Sequence, residues 1–213
     1  SLTVVDGTSA AGGVFFDVKE TDVYYFSLQK NLGSEGGLWI AFLSPKAIDR
    51  SSEIVQYRPG SKYYRWIPDF LSLSKAIENS YKNQTLNTPS ISTLILLNEQ
   101  LKYIEKKGGI QWADQHTKEL SDYLYSWADR NFLLSAFVEP QYRSQTVVTI
   151  DIDPRINVED LLELASQKGV KDIFAYRSLK RNQIRIACFT SIDFDDLKKL
   201  TNILDQALKQ LSE

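Results

Sequence analysis

Lys30 stands where an amine can do chemistry. It follows Asp22-Val23-Tyr24-Tyr25-Phe26-Ser27-Leu28-Gln29, a β-branched and aromatic run that reads as a buried strand, and it precedes Asn31-Leu32-Gly33 and a turn through Gly36-Gly37. A charged amine at the mouth of a buried strand must find a partner or lose its proton, and the neutral amine is the form that condenses with aldehydes. Most lysines are solvated surface residues, so position alone leaves both readings open. Asp6 likewise ends a strand, Leu2-Thr3-Val4-Val5, and parallel sheets receive ligands at the carboxyl ends of their strands. An aspartate before Gly7 is also an ordinary turn residue. Far along the chain, Arg177 and Arg185 flank the loop into the last apolar strand. A guanidinium grips a carboxylate or phosphate through two hydrogen bonds, so a pair suits a ligand with two anionic ends. Asn87-Thr88-Pro89 sets an amide and a hydroxyl ahead of a helical stretch, which by itself reads as N-capping.

The elements that must position these residues alternate in type. Short apolar runs at 2–5, 14–18, 22–28 and 38–43, separated by Gly, Asp and Ser clusters, predict four strands of a largely buried sheet. Ser44-Pro45 opens a short helix through Asp49, and residues 51–70 read as an irregular packing or interface loop. Helical periodicity covers Leu71 to Lys82, and then Ser90 to Lys107 with Leu94, Leu97, Leu101 and Ile104 on one face. Gly108-Gly109 stops that helix, and Ile110 to Arg130 follows with Trp112, Leu120, Leu124 and Trp127 inward. Composition shifts near residue 131. Gln145 to Ile152 alternates as a half-buried strand, and Asn157 opens a helix to Lys168 with acids at its positive end and Gly169 as C-cap. Gln183 to Phe189 is a further strand, and Asp193 to Leu211 a closing amphipathic helix. The fold class is α/β, with a domain over 1–130 and a small α/β domain over 131–213.

Bulk composition narrows the function. Basic and acidic residues nearly cancel at 25 against 27, and no basic run interleaves with aromatics, so no nucleic-acid partner is expected. No secretory signal and no apolar stretch of membrane-spanning length is visible. Cys188, the only cysteine, has no partner for an internal disulfide and lies in an apolar run, which predicts core packing and a reducing, cytoplasmic setting. His116, the only histidine, reads as an exposed helix residue, and no histidine-based metal site is expected.

Gln29-Lys30-Asn31 with Gly33 and Gly36-Gly37-Leu38-Trp39 resembles the lysine segment of the phosphoserine aminotransferases, fold-type I enzymes that use pyridoxal 5′-phosphate (PLP). Val4-Val5-Asp6-Gly7-Thr8-Ser9-Ala10-Ala11-Gly12-Gly13 upstream, and Asn87-Thr88-Pro89 and Tyr176-Arg177-Ser178 downstream, are similar to further family motifs in the family's order. The resemblance implies that 1–130 is the C-terminal part of a PLP-binding large domain with a mixed, mainly parallel sheet, and that 131–213 is the small domain. A preceding part, not in this chain, would carry a phosphate-cradling turn and the aromatic that stacks on the cofactor. Lys30 would hold PLP as a Schiff base and shuttle a proton between substrate Cα and cofactor C4′. Asp6 would keep the pyridine nitrogen protonated, and Gln29 would touch the phosphate or ring. Asn87 and Thr88 would reach the phosphate in the neighbouring subunit, which implies a homodimer with shared active sites. Arg185 would hold the α-carboxylate, and Arg177 the substrate phosphate or side-chain carboxylate. Tyr176 departs from the histidine of many relatives, and Lys180 and Arg181 crowd the same loop. The implied reaction is amino transfer between phosphoserine and 2-oxoglutarate in serine biosynthesis, with a second role in making the pyridoxine precursor. Alternatives are a serine- or alanine–glyoxylate aminotransferase, for which a second arginine has less use, a cysteine desulfurase, against which Cys188 in a strand counts, or a chain that is by itself an inert or dimerising core.

Overall fold

The computed structural model describes residues 1–57, 59–176 and 179–213. The chain divides into two compact units, residues 1–11 with 16–102, and residues 12–15 with 103–213.

The first unit is built on a three-stranded sheet of β1 (Val4–Asp6), β2 (Val23–Ser27) and β3 (Trp39–Leu43). β1 runs parallel to β2 with Asp6 opposite Tyr25, and β2 runs antiparallel to β3 with Ser27 opposite Trp39. Connection length explains the difference. Residues 28–38 are a short return, whereas residues 7–22 are long enough to cross over. These three strands make one parallel and one antiparallel pair, a mixed sheet. The strand expected over residues 14–18 is not formed. Asp17 accepts the Lys19 N–H at 3.0 Å and caps a 3-10 turn, Val18–Glu20, so the local side-chain bond takes the backbone out of a ladder. Phe16 of that run still reaches the core, stacking on Tyr24 with centroids 5.2 Å apart. Tyr24, Phe26, Leu28, Leu32 and Leu97 form the core of this unit.

Ser44 caps α1 (Pro45–Val55) by accepting the Ala47 N–H at 3.2 Å, and the helix runs well past Asp49. Ser72 caps α2 (Leu73–Tyr81) in the same way. In α3 (Ile91–Lys107), Leu97 and Ile104 of the apolar face are buried, whereas Leu94 and Leu101 are 39% and 47% exposed.

The second unit holds α4 (Gly109–Arg130), β4 (Leu134–Ala136), β5 (Val147–Ile152), α5 (Val158–Gln167), β6 (Gln183–Ala187) and α6 (Phe194–Ser212). Its sheet has the order β4-β5-β6, and both pairs are antiparallel. Strand alternation sends Val148, Ile150, Ile152, Ile184 and Ile186 to one face, where they meet Leu120, Leu124 and Trp127 of α4, Leu161 of α5, and Leu204 and Leu208 of α6. Thr149, Asp151, Gln183 and Arg185 therefore line the other face. Asn157 and Asp193 cap α5 and α6, and the Val170 N–H closes on the Ala165 carbonyl after Gly169. His116 is half-buried rather than exposed. Its ring stacks on Trp112, itself only half-buried, and its Nε2 lies 2.9 Å from the Ile192 carbonyl.

Candidate active site

Asp6 and Lys30 leave the sheet at the same edge, because β1 and β2 are parallel neighbours and each residue lies at or just past the carboxyl end of its strand. The two loops that follow are tied together. The Ser27 N–H donates to Thr8 Oγ1 at 3.3 Å, and Asn31 Nδ2 donates to the Ser9 carbonyl at 2.9 Å. Asn31 is buried, so this link sits under the loop rather than on its surface. The Lys30 loop is itself a closed turn in which the Gly33 N–H donates to the Lys30 carbonyl at 2.9 Å, with Gly33 at φ 60°, a conformation that disfavours a Cβ. Two contacts from α3 hold this turn: Gln100 Nε2 donates to the Asn31 carbonyl at 3.2 Å, and Ser34 Oγ donates to the Thr93 carbonyl at 2.6 Å. Lys30 is half-buried and is thus fixed through its backbone from both sides.

The charge at Asp6 is controlled locally. The Thr8 N–H donates to Asp6 Oδ1 at 2.9 Å. The Thr8 hydroxyl first, then this N–H, hold the Asp6 carboxyl below the usual carboxylate range against a small opposing effect of burial, with Tyr25 adding to the lowering. The carboxylate in turn pushes the Tyr25 hydroxyl up, and burial reinforces it. The aspartate is thus both a turn residue and a fixed negative charge at the strand end. A ring nitrogen placed against it would be kept protonated, and a half-buried amine on the adjoining turn can attack an aldehyde and relay a proton.

The remaining predicted residues divide. Gln29 is exposed, with its side chain alongside Gly36. Asn87 and Thr88 are exposed between α2 and α3, on a depression of about 700 Å³ that Asn83, Gln84 and Thr85 also line. They are not the caps of α3. Ser90 has that task, accepting the Thr93 N–H and hydroxyl at 3.5 and 2.9 Å. Arg185 lies half-buried in β6, in the other unit, and Arg177 lies outside the described residues. Among the described residues no group of three His, Cys, Asp or Glu is placed to hold a metal ion, and no helix is long and apolar enough to cross a membrane.

Sequence reading missed the residues that do the tying. Thr8, two positions after an aspartate and a glycine, carries the spacing of an Asx-type turn and was legible in principle. Asn31, Ser34 and Gln100 were not, since nothing local tells which distant carbonyl a polar side chain will meet.

The class-V aminotransferase family model matches residues 1–171. Phosphoserine aminotransferases from Rhodococcus opacus and Rhodococcus jostii are each 43% identical to this chain over 99% of its length. The chain spans about half the length of these curated relatives, 55% in each case. Among solved structures, a phosphoserine aminotransferase from Cytophaga hutchinsonii superposes with a TM-score of 0.84 at 23% identity, over 97% of this chain and 55% of that one. A PLP-bound phosphoserine aminotransferase from Trichomonas vaginalis gives 0.74 at 18% identity, over 97% and 53%. At those identities the structures speak for the fold, a mixed α/β architecture shared over about half of each solved chain. The family match, which covers most of the sequence, speaks for descent: the chain belongs to the class-V aminotransferases.

Proposed function

We propose that the whole protein is a PLP-dependent phosphoserine:2-oxoglutarate aminotransferase of serine biosynthesis, working as a homodimer. The observation that carries this reading is the pair of stitched loops at one sheet edge, with an ionised Asp6 on one and a half-buried Lys30 on the other. The 43% identity to phosphoserine aminotransferases along nearly the full chain supports the substrate class. Residues 1–130 are read as the C-terminal part of the cofactor-binding large domain and residues 131–213 as the small domain.

These residues fit PLP. The cofactor, when bound, supplies the electron sink that lets the substrate Cα–H bond break. Asp6 would face the ring nitrogen and hold a proton there, which its lowered titration range allows at neutral pH. Lys30 would hold the cofactor through its amine and, when free, would take the proton from the substrate Cα and return it at C4′. Gln29, on the same turn, would contact the phosphate or ring. Asn87 and Thr88, exposed and not occupied in capping, serve the phosphate group in the partner subunit. Arg185 grips the α-carboxylate and Arg177 the distal phosphate or carboxylate, each with paired N–H donors.

Cys188 counts against a desulfurase reading. Burial pushes its thiol up to about 12, and it lies inside the core after β6, so it cannot be a mobile nucleophile. The test is glutamate formation by the whole protein from phosphoserine and 2-oxoglutarate, run beside alanine with glyoxylate. Preference for phosphoserine is expected. Preference for alanine with glyoxylate would replace this reading with the glyoxylate one.

A further inference from the structure

Arg181, in the loop before β6, and Arg185, within β6, are two cations that the structure treats differently. Arg181 is engaged. Its Nη2 and Nε meet Asp151 Oδ2 and Oδ1 at 2.6 and 3.2 Å, and its guanidinium lies 4.5 Å from the Phe137 ring centre. Asp151 also accepts Gln183 Nε2 at 2.8 Å, and the two residues are opposite one another in register. Arg185, two residues on and on the same face, stands opposite Thr149. Among the described residues no carboxylate lies within ion-pair distance of it. Its backbone N–H donates to the Ile173 carbonyl at 2.8 Å, and Phe174 bridges to Ile184, so residues 173 and 174 run alongside β6. Two residues further, the ring of Tyr176 lies 5.3 Å from the Arg185 guanidinium carbon.

We infer that Tyr176 is a positioning residue for Arg185: its ring covers one face of the guanidinium and holds it ready for a substrate carboxylate. This rests on the reading above in which Arg185 takes the α-carboxylate. A guanidinium is flat, with its donors in the plane and weakly hydrated faces. A ring over one face is attracted to the charge and narrows the side chain's orientations, yet leaves every edge N–H for the ligand. A carboxylate in the same place, such as Asp151 provides for Arg181, would fix the arginine but neutralise it and occupy its donors. Arg181 is thereby a structural cation and Arg185 the binding one. The tyrosine hydroxyl has no part in this, so phenylalanine must serve as well.

The test uses the PLP-loaded whole protein with Tyr176→Leu, Tyr176→Phe and Arg185→Met. Two quantities are read, KM and kcat for glutamate, and calorimetric binding of glutarate, an unreactive dicarboxylate. Tyr176 is 52% exposed, so the leucine variant is expected to fold, which its melting curve checks. Loss of the ring from an exposed cation–π contact should weaken both KM and glutarate binding roughly two- to fivefold with kcat unchanged. Tyr176→Phe should match the parent, and Arg185→Met should lose far more. If Tyr176→Leu binds glutarate like the parent while Arg185→Met does not, the inference is overturned and the role of Arg185 stands. If Tyr176→Phe falls with Tyr176→Leu, the hydroxyl acts instead and the inference is again overturned. If Arg185→Met binds normally, the assignment of Arg185 itself is wrong.

Discussion

Gly7, between Asp6 and Thr8, has no room for a side chain, and that sets up a sharp perturbation. A Cβ built there would collide with Tyr24 Cζ and lie 2.5 Å from its hydroxyl and 2.7 Å from Cε2. Carbon contacts settle near ~3.5–4.0 Å, so something must move by about 1 Å. The ring is hard to move: Tyr24 is 5% exposed, stacked on Phe16, and its centroid is 5.8 Å from that of Phe26. The turn is also held, since the Gly7 N–H donates to the Tyr25 carbonyl at 2.7 Å and the Gly7 carbonyl accepts from Ala10 and Ala11. Gly7→Ala should therefore cost about 1–3 kcal/mol, the usual range for overpacking. The assay is urea unfolding of Gly7→Ala, Tyr24→Leu and the double variant. Leucine does not reach the colliding ring atoms, so in the Tyr24→Leu background the alanine should cost less than about 0.5 kcal/mol, leaving a coupling energy of most of the single effect. Additive effects would refute the steric account of this glycine.

Removing the Thr8 hydroxyl, as in Thr8→Val, should move the Asp6 titration up toward the ordinary carboxylate value, seen by carboxyl carbon NMR. Because the folded-state value is lowered, the stability contributed by Asp6 is present above the unfolded carboxylate range and is lost as pH falls through the folded value. In Thr8→Val that acid-side loss should be smaller. Asp153, held at about 2 chiefly by hydrogen bonds from Arg155, should stay ionised in the folded protein until the pH approaches that value. Its contribution is then complete above an unfolded value of roughly 4 and declines below it, and Arg155→Gln should raise the NMR titration midpoint. Cys188, pushed up to about 12 by burial, should ignore a thiol reagent at neutral pH in the folded protein and react at once in denaturant.

Strands and helices with strong periodic or capping signals were legible from the chain. β5 alternates and was read within two residues, and Ser44, Asn157 and Asp193 cap helices where a polar residue precedes an apolar period. Failures came where short-range and long-range forces compete. Val14-Phe15-Phe16-Asp17-Val18 has strand-like composition, but Asp17 turns the chain and the Phe15 N–H is taken by Asp114 at 2.9 Å, a partner nearly a hundred residues away. The end of α1 was placed too early because residues after Asp49 lose their apolar period, while Arg50 bonds Glu53 along the helix surface at 2.9 Å. At the site, a lysine and an aspartate at strand ends were visible as types, but the bonds that join their loops depend on β1 and β2 being neighbours in the sheet. Lys180 and Arg181 leave the register between Arg177 and Arg185 open in the sequence, and the pairing of Arg181 with Asp151, on a different strand, is a contact no local pattern announces.

Lys30 is the residue proposed to hold the cofactor. Intact-mass spectrometry after incubation with PLP and borohydride reduction, with Lys30→Ala beside it, tests this directly. A single adduct present in the parent and absent in Lys30→Ala is the predicted result. Adducts that persist unchanged in Lys30→Ala would contradict it.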